Sequence, residues 1–177
     1  MALACVIIIT NLVRRKKIGE LKKILKAVDY ETIALLLGLF VVIGGIVNVG
    51  VIDDIAKFII KYGGNNVFLL YTIVVWGSVL ISAFVDNIPY VATMLPVLTA
   101  VTNTLGIEPY LLYFGLLSGA TLGGNITPIG ASANITAVGL LRKNGYEVSF
   151  KDFMKIGVPY TLTAGCVGYL YFWLLWK

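Results

Sequence analysis

Hydrophobic positions in this chain come in long blocks, not at the spacing of half-buried helices or strands. Residues 32–52, 67–85 and 157–176 are almost wholly apolar. Each block is close to the ~20 residues that carry an α-helix across the hydrocarbon core. A core helix of a soluble domain would be shorter and would show a polar face. The pattern therefore predicts an all-α polytopic membrane protein.

Polar breaks between the blocks trace a path. Residues 1–13 are apolar but too short to span, and they carry no signal-peptide cleavage pattern. They read as the tail of a helix, or as a short anchor. In the stretch that follows, Ile18, Leu21, Ile24 and Leu25 fall on one helical face, as in a basic amphipathic segment at an interface. After the 32–52 block, Asp53, Asp54, Lys57 and Lys61 mark a second amphipathic segment, and Gly63 to Asn66 predict a turn. Two apolar limbs, 67–85 and 90–101, are joined by Asp86-Asn87-Ile88-Pro89, with Pro96 expected to interrupt the second. Residues 110–141 form a helical region broken at 123–128. Ser149 and Asp152 have capping-box spacing, which predicts a short interfacial helix bearing Phe150, Phe153 and Met154. The last span, 157–176, ends at Trp173 and Trp176, near an interface.

Charge orients this path. Only 13% of the 177 residues are charged, against about 25% in soluble domains. Segments 14–28 and 142–156 hold Arg14, Arg15, Lys16, Lys17, Lys22, Lys23, Lys26, Arg142, Lys143, Lys151 and Lys155. Lys57, Lys61 and Lys177 are the cations elsewhere. That bias makes 14–28 and 142–156 cytoplasmic, and it accounts for the net charge of +5 without nucleic acid. Two full spans or one re-entrant hairpin over 67–102 leave the ends on the same side. The tip lacks Lys and Arg, and Pro96 shortens the second limb, so the hairpin is preferred; irregular backbone is allowed at depth where it lines a cavity. Cys5 and Cys166 lie in apolar segments as packing residues, and there is no histidine to shuttle protons or bind metal.

Two polar clusters stand where lipid would penalise them. An aspartate at the centre of a membrane helix costs about 2.5–3.5 kcal/mol on insertion scales. Asp86 is thus either a solvated loop residue or the holder of a cation or proton in a water-filled cavity. Asn87 would add a carbonyl ligand, and Pro89 suits the first turn of the returning helix. The second cluster, GGNITPIGASAN at 123–134, would unwind a helix. It would offer freed carbonyls, a new helix N-terminus and the neutral ligands Asn125, Thr127, Ser132 and Asn134; the alternative is a plain loop between short helices. Asn125 and Asn134 also head glycosylation patterns, but at membrane depth they are expected to be unmodified. Gly115, Gly119 and Gly123 form a G-x-x-x-G stripe that predicts a close helix-packing face.

These clusters, ISAFVDNIPYVATMLP at 81–96 and the run at 123–134, resemble signatures of the ion transporter superfamily. The similarity is to the branch of arsenical pump membrane proteins, the melanosomal P protein and citrate-transporter-like proteins. It covers nearly the whole chain. The resemblance implies a fold of two inverted repeats, each with a re-entrant hairpin and a broken helix at a shared midplane site. This chain matches the second repeat, and no internal repeat is found within it. The implied ion-binding residues are Asp86, Asn87, Thr93, Gly124, Asn125, Thr127, Ser132 and Asn134, with a sodium site at Asp86, Asn87 and Asn125. The tip departs from the Ser-Asn-Thr tips of the dicarboxylate symporters, which argues against dicarboxylates.

The expectation is half of a secondary active transporter in the cell membrane. It would move arsenite, another inorganic or organic anion, or sodium, coupled to protons or sodium and with no other cofactor. Its partners would be the bilayer, the small ion, and a first-repeat half or a second copy. The rival is a non-transporting membrane subunit that stabilises or regulates a partner. An enzyme is not expected: Ser132 has no histidine to activate it, and Asp86 no second membrane aspartate for a dyad.

Overall fold

A computed structural model describes residues 48–64 and 66–176, together with scattered positions between 33 and 45. The chain divides into two compact units, 1–41 and 42–177. In the first, Ile33, Ala34, Leu37, Gly38 and Val41 are helical; the expected segments 1–13 and 14–28 lie outside the described residues.

The second unit carries six bounded helices among the described residues: α1 (Val51–Gly63), α2 (Val67–Ser82), α3 (Asn87–Leu105), α4 (Tyr110–Gly123), α5 (Ser132–Lys143) and α6 (Phe150–Trp176). The apolar block 32–52 ends earlier than expected, at a turn of Val49 and Gly50. Gly50 sits at φ 79°, a left-handed conformation that glycine adopts without a Cβ penalty. Val51 and Ile52 already belong to α1, which is amphipathic as expected, burying Ile52, Ala56, Ile59 and Gly63.

Two other expectations need correction. Pro96 does not interrupt α3, which runs through it to Leu105. Proline removes one helical bond, but Val97, Leu98 and Val101 just beyond it are fully buried in the core, and that packing holds the helix together. Nor is there a separate interfacial helix at 150. The Ser149 hydroxyl donates to Asp152 and accepts from the Asp152 N–H at 3.2 Å, so the capping box forms. The helix it opens continues through Gly157 and Pro159 to Trp176. At 1.5 Å per residue α6 is about 40 Å long, more than the ~30 Å hydrocarbon core.

The glycine stripe sets the packing. A Cβ on Gly115 would lie 2.8 Å from the Tyr71 ring, one on Gly119 2.9 Å from Ser78 Cβ, and one on Gly123 2.7 Å from Val79 Cα. The partners advance together along both chains, so α2 and α4 run parallel and in register. This is the close backbone approach that small residues permit in membranes. Aromatic contacts run the other way along α6: Trp173 meets Phe68 at 4.7 Å, Trp176 meets Tyr110 at 5.4 Å, and Phe172 stacks on Phe114 at 5.4 Å. Hence α6 is antiparallel to both. Its C-terminal end and the starts of α2 and α4 form one aromatic layer, while the far ends of α2 and α4 bring the two polar clusters to a common level.

Candidate functional site

The first cluster is the turn 83–86 between α2 and α3. Across it the buried hydroxyls of Ser78 and Tyr90 bond at 3.0 Å, so the two limbs fold back alongside each other. Asp86 caps α3, one carboxylate oxygen accepting the Ile88 N–H at 3.2 Å. The second cluster begins where α4 stops at Gly123, and α5 does not start until Ser132.

Side-chain donors from three elements reach carbonyls of the last turn of α4 and of the break, where Ala120 and Leu122 also accept the Gly124 and Asn125 N–H groups. From α2, Ser82 Oγ donates to the Ala120 carbonyl at 2.6 Å. From α6, Thr161 Oγ1 donates to the Leu122 carbonyl at 3.0 Å. From α5, Asn134 Nδ2 donates to the carbonyls of Gly124 at 2.8 Å and Thr127 at 3.1 Å. In the reverse direction the buried Thr127 hydroxyl donates to the Ala83 carbonyl on the turn. Gly130 wedges between the clusters: a Cβ there would meet the carbonyl oxygens of Gly124, Ala83 and Ser82 at 2.6, 2.8 and 2.9 Å.

The remaining bridge is electrostatic. The second carboxylate oxygen of Asp86 accepts the Ser132 N–H at 3.0 Å and the Ser132 hydroxyl. Asp86 thus places negative charge at the start of two helices, where the backbone dipoles favour it.

The residues expected from sequence divide accordingly. Asp86 meets Ser132, Thr127 reaches the turn, and Asn134 and Gly124 bond each other across the break. Asn87 opens α3 half-buried, and Thr93 donates to the Pro89 carbonyl within its own helix at 2.9 Å. Asn125 is turned elsewhere. Its amide donates to the Thr121 carbonyl at 3.2 Å, and it lines a cavity of about 650 Å³ with Glu147, Asp152, Gly157 and Tyr160. No hydrogen bond joins Asn125 to Asp86 or Asn87.

Sequence reasoning did not single out Ser82, Thr161, Gly130 or Gly157 as individual contributors. The available signal was a hydroxyl inside an apolar block, which must find a partner there. Gly157 lets α6 lie against the break, since a Cβ would come within 3.1 Å of the Ile126 carbonyl. Replacing Thr161 by valine keeps the shape and removes the donor. Because the Leu122 carbonyl also accepts the Asn125 N–H, the expected loss is about 1 kcal/mol. It would be read as a lower unfolding midpoint in detergent; an unchanged midpoint would show that the break stands without α6.

Apolar helices enclosing a hydrogen-bonded polar break define a helical membrane protein. Compared with known families, the whole chain, residues 1–177, matches the citrate transporter family, and the chain belongs to it. It is 35% identical over 152 residues to an uncharacterized transporter of Mycobacterium tuberculosis, covering 85% of this chain and 35% of that protein. An uncharacterized transporter of Synechocystis is 32% identical over 164 residues, covering 84% of this chain and 36% of the relative. The human P protein is 35% identical over 161 residues, covering 87% of this chain and 19% of its own length. The chain therefore spans about a third of the length of these bacterial relatives and about a fifth of the P protein. No solved structure gives a significant match.

Proposed function

We propose that the chain is the second-repeat half of a secondary transporter in the cell membrane, with α2 and α3 as a re-entrant hairpin and α4 and α5 as a broken transmembrane helix. The observation that carries this reading is the Asp86 carboxylate on the hairpin turn, bonded to the first residue of α5 across the break. The lengths of α2 and α4 support it, while α3, with 19 residues, is itself long enough to approach a full span. With 16 and 14 residues, α2 and α4 rise about 24 and 21 Å. Both fall short of the ~30 Å core, so helices starting together at one interface end inside the membrane.

The transported species is a small ion, coupled to protons or sodium, and Asp86 is the coupling residue. A cation or a proton competes for the same carboxylate that α5 now holds. An anionic substrate would find that helix end occupied by Asp86, which argues for sodium, or for arsenite as neutral arsenous acid, over a dicarboxylate. Asn87 and Thr93 on α3, with Gly124, Thr127, Ser132 and Asn134 around the break, complete the ion site. A sodium ion shared by Asp86, Asn87 and Asn125 would require the Asn125 side chain to leave the Thr121 carbonyl.

Completion by a second element is part of the reading. None of the residues of α5 is buried, and Ile135 and Leu140 are exposed, as expected of a helix that meets a first-repeat half or a second copy. The test is reconstitution into lipid vesicles with and without the first-repeat half of a bacterial relative, assaying arsenite, sodium and citrate uptake. The chain alone is expected to be silent and the pair to transport. Silence of the inserted pair towards every ion would favour a non-transporting subunit.

A further inference from the structure

Helix α1 carries three faces where an ordinary amphipathic helix carries two. One is buried in the bundle: Ile52, Ala56, Ile59 and Gly63, spaced four, three and four residues apart, join the core beside Val97, Leu98 and Val101. A second is charged and exposed: Asp53, Asp54, Lys57 and Lys61, with Lys57 and Asp54 paired at 3.3 Å. The third is apolar, yet exposed. Val51, Phe58 and Tyr62 are 42%, 61% and 60% accessible, and the two rings touch with centroids 4.7 Å apart. At about 100° per residue this strip runs lengthwise directly beside the charged one.

Apolar and charged strips that are both exposed and parallel to one helix axis fit two solvents meeting along that axis. We infer that α1 lies in the plane of the membrane interface, with Phe58 and Tyr62 inserted at the headgroup–acyl boundary of the phospholipid bilayer and the Asp/Lys strip in water. Amphipathic interfacial helices seat aromatic side chains at this depth. Continuity with the rest of the fold supports the same occupant. Through the short 64–66 connection α1 leads into the first turn of α2, where Phe68 joins the aromatic layer with Trp173. Tyr and Trp side chains concentrate at such levels because one end is apolar and the other polar. The inference concerns the seating of α1 and does not use the Asp86 site.

The experiment places a nitroxide label at one position at a time through Lys57→Cys, Phe58→Cys, Ile59→Cys, Lys61→Cys and Tyr62→Cys. The full chain, with Cys5 and Cys166 replaced by serine, is reconstituted in phosphatidylcholine vesicles, and collisions with oxygen and a water-soluble nickel chelate are measured. Labels at 58 and 62 are expected to collide several-fold more with oxygen than with the chelate relative to labels at 57 and 61, where the order reverses. The label at 59 is expected to be shielded from both. Chelate access at 58 and 62 equal to that at 57 and 61 would overturn the inference by placing the strip in water. Shielding of 58 and 62 from both reagents would overturn it in favour of a protein partner, and exposure of 59 would overturn it by showing that α1 leaves the bundle.

Discussion

Asp86→Asn, introduced into a complete and membrane-inserted transporter, is expected to leave abundance unchanged and to reduce coupled transport about 100-fold or more, equivalent to about 2.7 kcal/mol. The carboxylate accepts from Ile88 N–H with one oxygen and from both donors of Ser132 with the other. Asparagine preserves the size and one acceptor, so the cap on α3 survives. It deletes the charge and, with its oxygen kept on the Ile88 N–H, turns an amide donor toward the Ser132 N–H. In apolar surroundings a cation bound without its counter-charge loses most of its holding energy. Asp86→Glu keeps the charge on a longer arm and is expected to retain partial activity. Uptake rates in vesicles across a range of pH and sodium concentration provide the measurement. A wild-type rate in Asp86→Asn with unchanged pH and sodium dependence would make Asp86 a loop residue only.

A single methyl group at Gly130 is expected to push the two polar clusters apart and destabilise the fold. Its Cβ would stand within 2.9 Å of three backbone oxygens belonging to both polar clusters, and backbone cannot swing aside as a side-chain tip can. Overpacking of this kind costs about 1–3 kcal/mol, and relief here requires the turn and the break to part, which strands Thr127 and Ser82. Gly139→Ala in α5 is the control, since nothing lies within 4 Å of its Cβ; in a helix that change is worth up to about 1 kcal/mol of stabilisation. Unfolding midpoints in detergent are expected to fall for Gly130→Ala and to hold or rise for Gly139→Ala. Equal midpoints for the two variants would remove the wedge from the account.

Much of this architecture was legible in the chain. Uninterrupted apolar blocks revealed the membrane class, paired glycines with a proline marked the break, and the Ser149–Asp152 spacing placed the start of α6. The G-x-x-x-G stripe announced close packing. What it did not announce was its partner, because small residues state that a backbone approaches without saying which one. Pro96 misled for a related reason: its local cost to a helix is real, and tertiary contacts outweigh it, as they do where α6 runs on through Gly157 and Pro159. Val97 and Leu98 are buried beyond the first proline, and the Asn125 and Ile126 carbonyls lie against Gly157. The site was half legible. Residue types pointed to Asp86, Thr127, Ser132 and Asn134, which the structure places in hydrogen bonds at the turn and the break, but only the approach of α2 and α6 shows that Ser82 and Thr161 reach the last turn of α4. The orientation of Asn125 was not readable at all, since an amide in an irregular segment takes its direction from whichever carbonyl is nearest.

The parallel registration of α2 with α4 makes the stretch from Tyr110 to Gly123 a ruler. One added residue would rotate everything beyond it by about 100° and raise it by about 1.5 Å. Gly123 would swing off Val79, and a bulkier neighbour would take its place. The break would then arrive at the wrong height to receive the hydroxyl of Ser82. Exposed loops absorb insertions and deletions freely, whereas this segment is expected to tolerate exchange of a side chain better than any change of length. The height of the break along the bundle is kept here by counting residues.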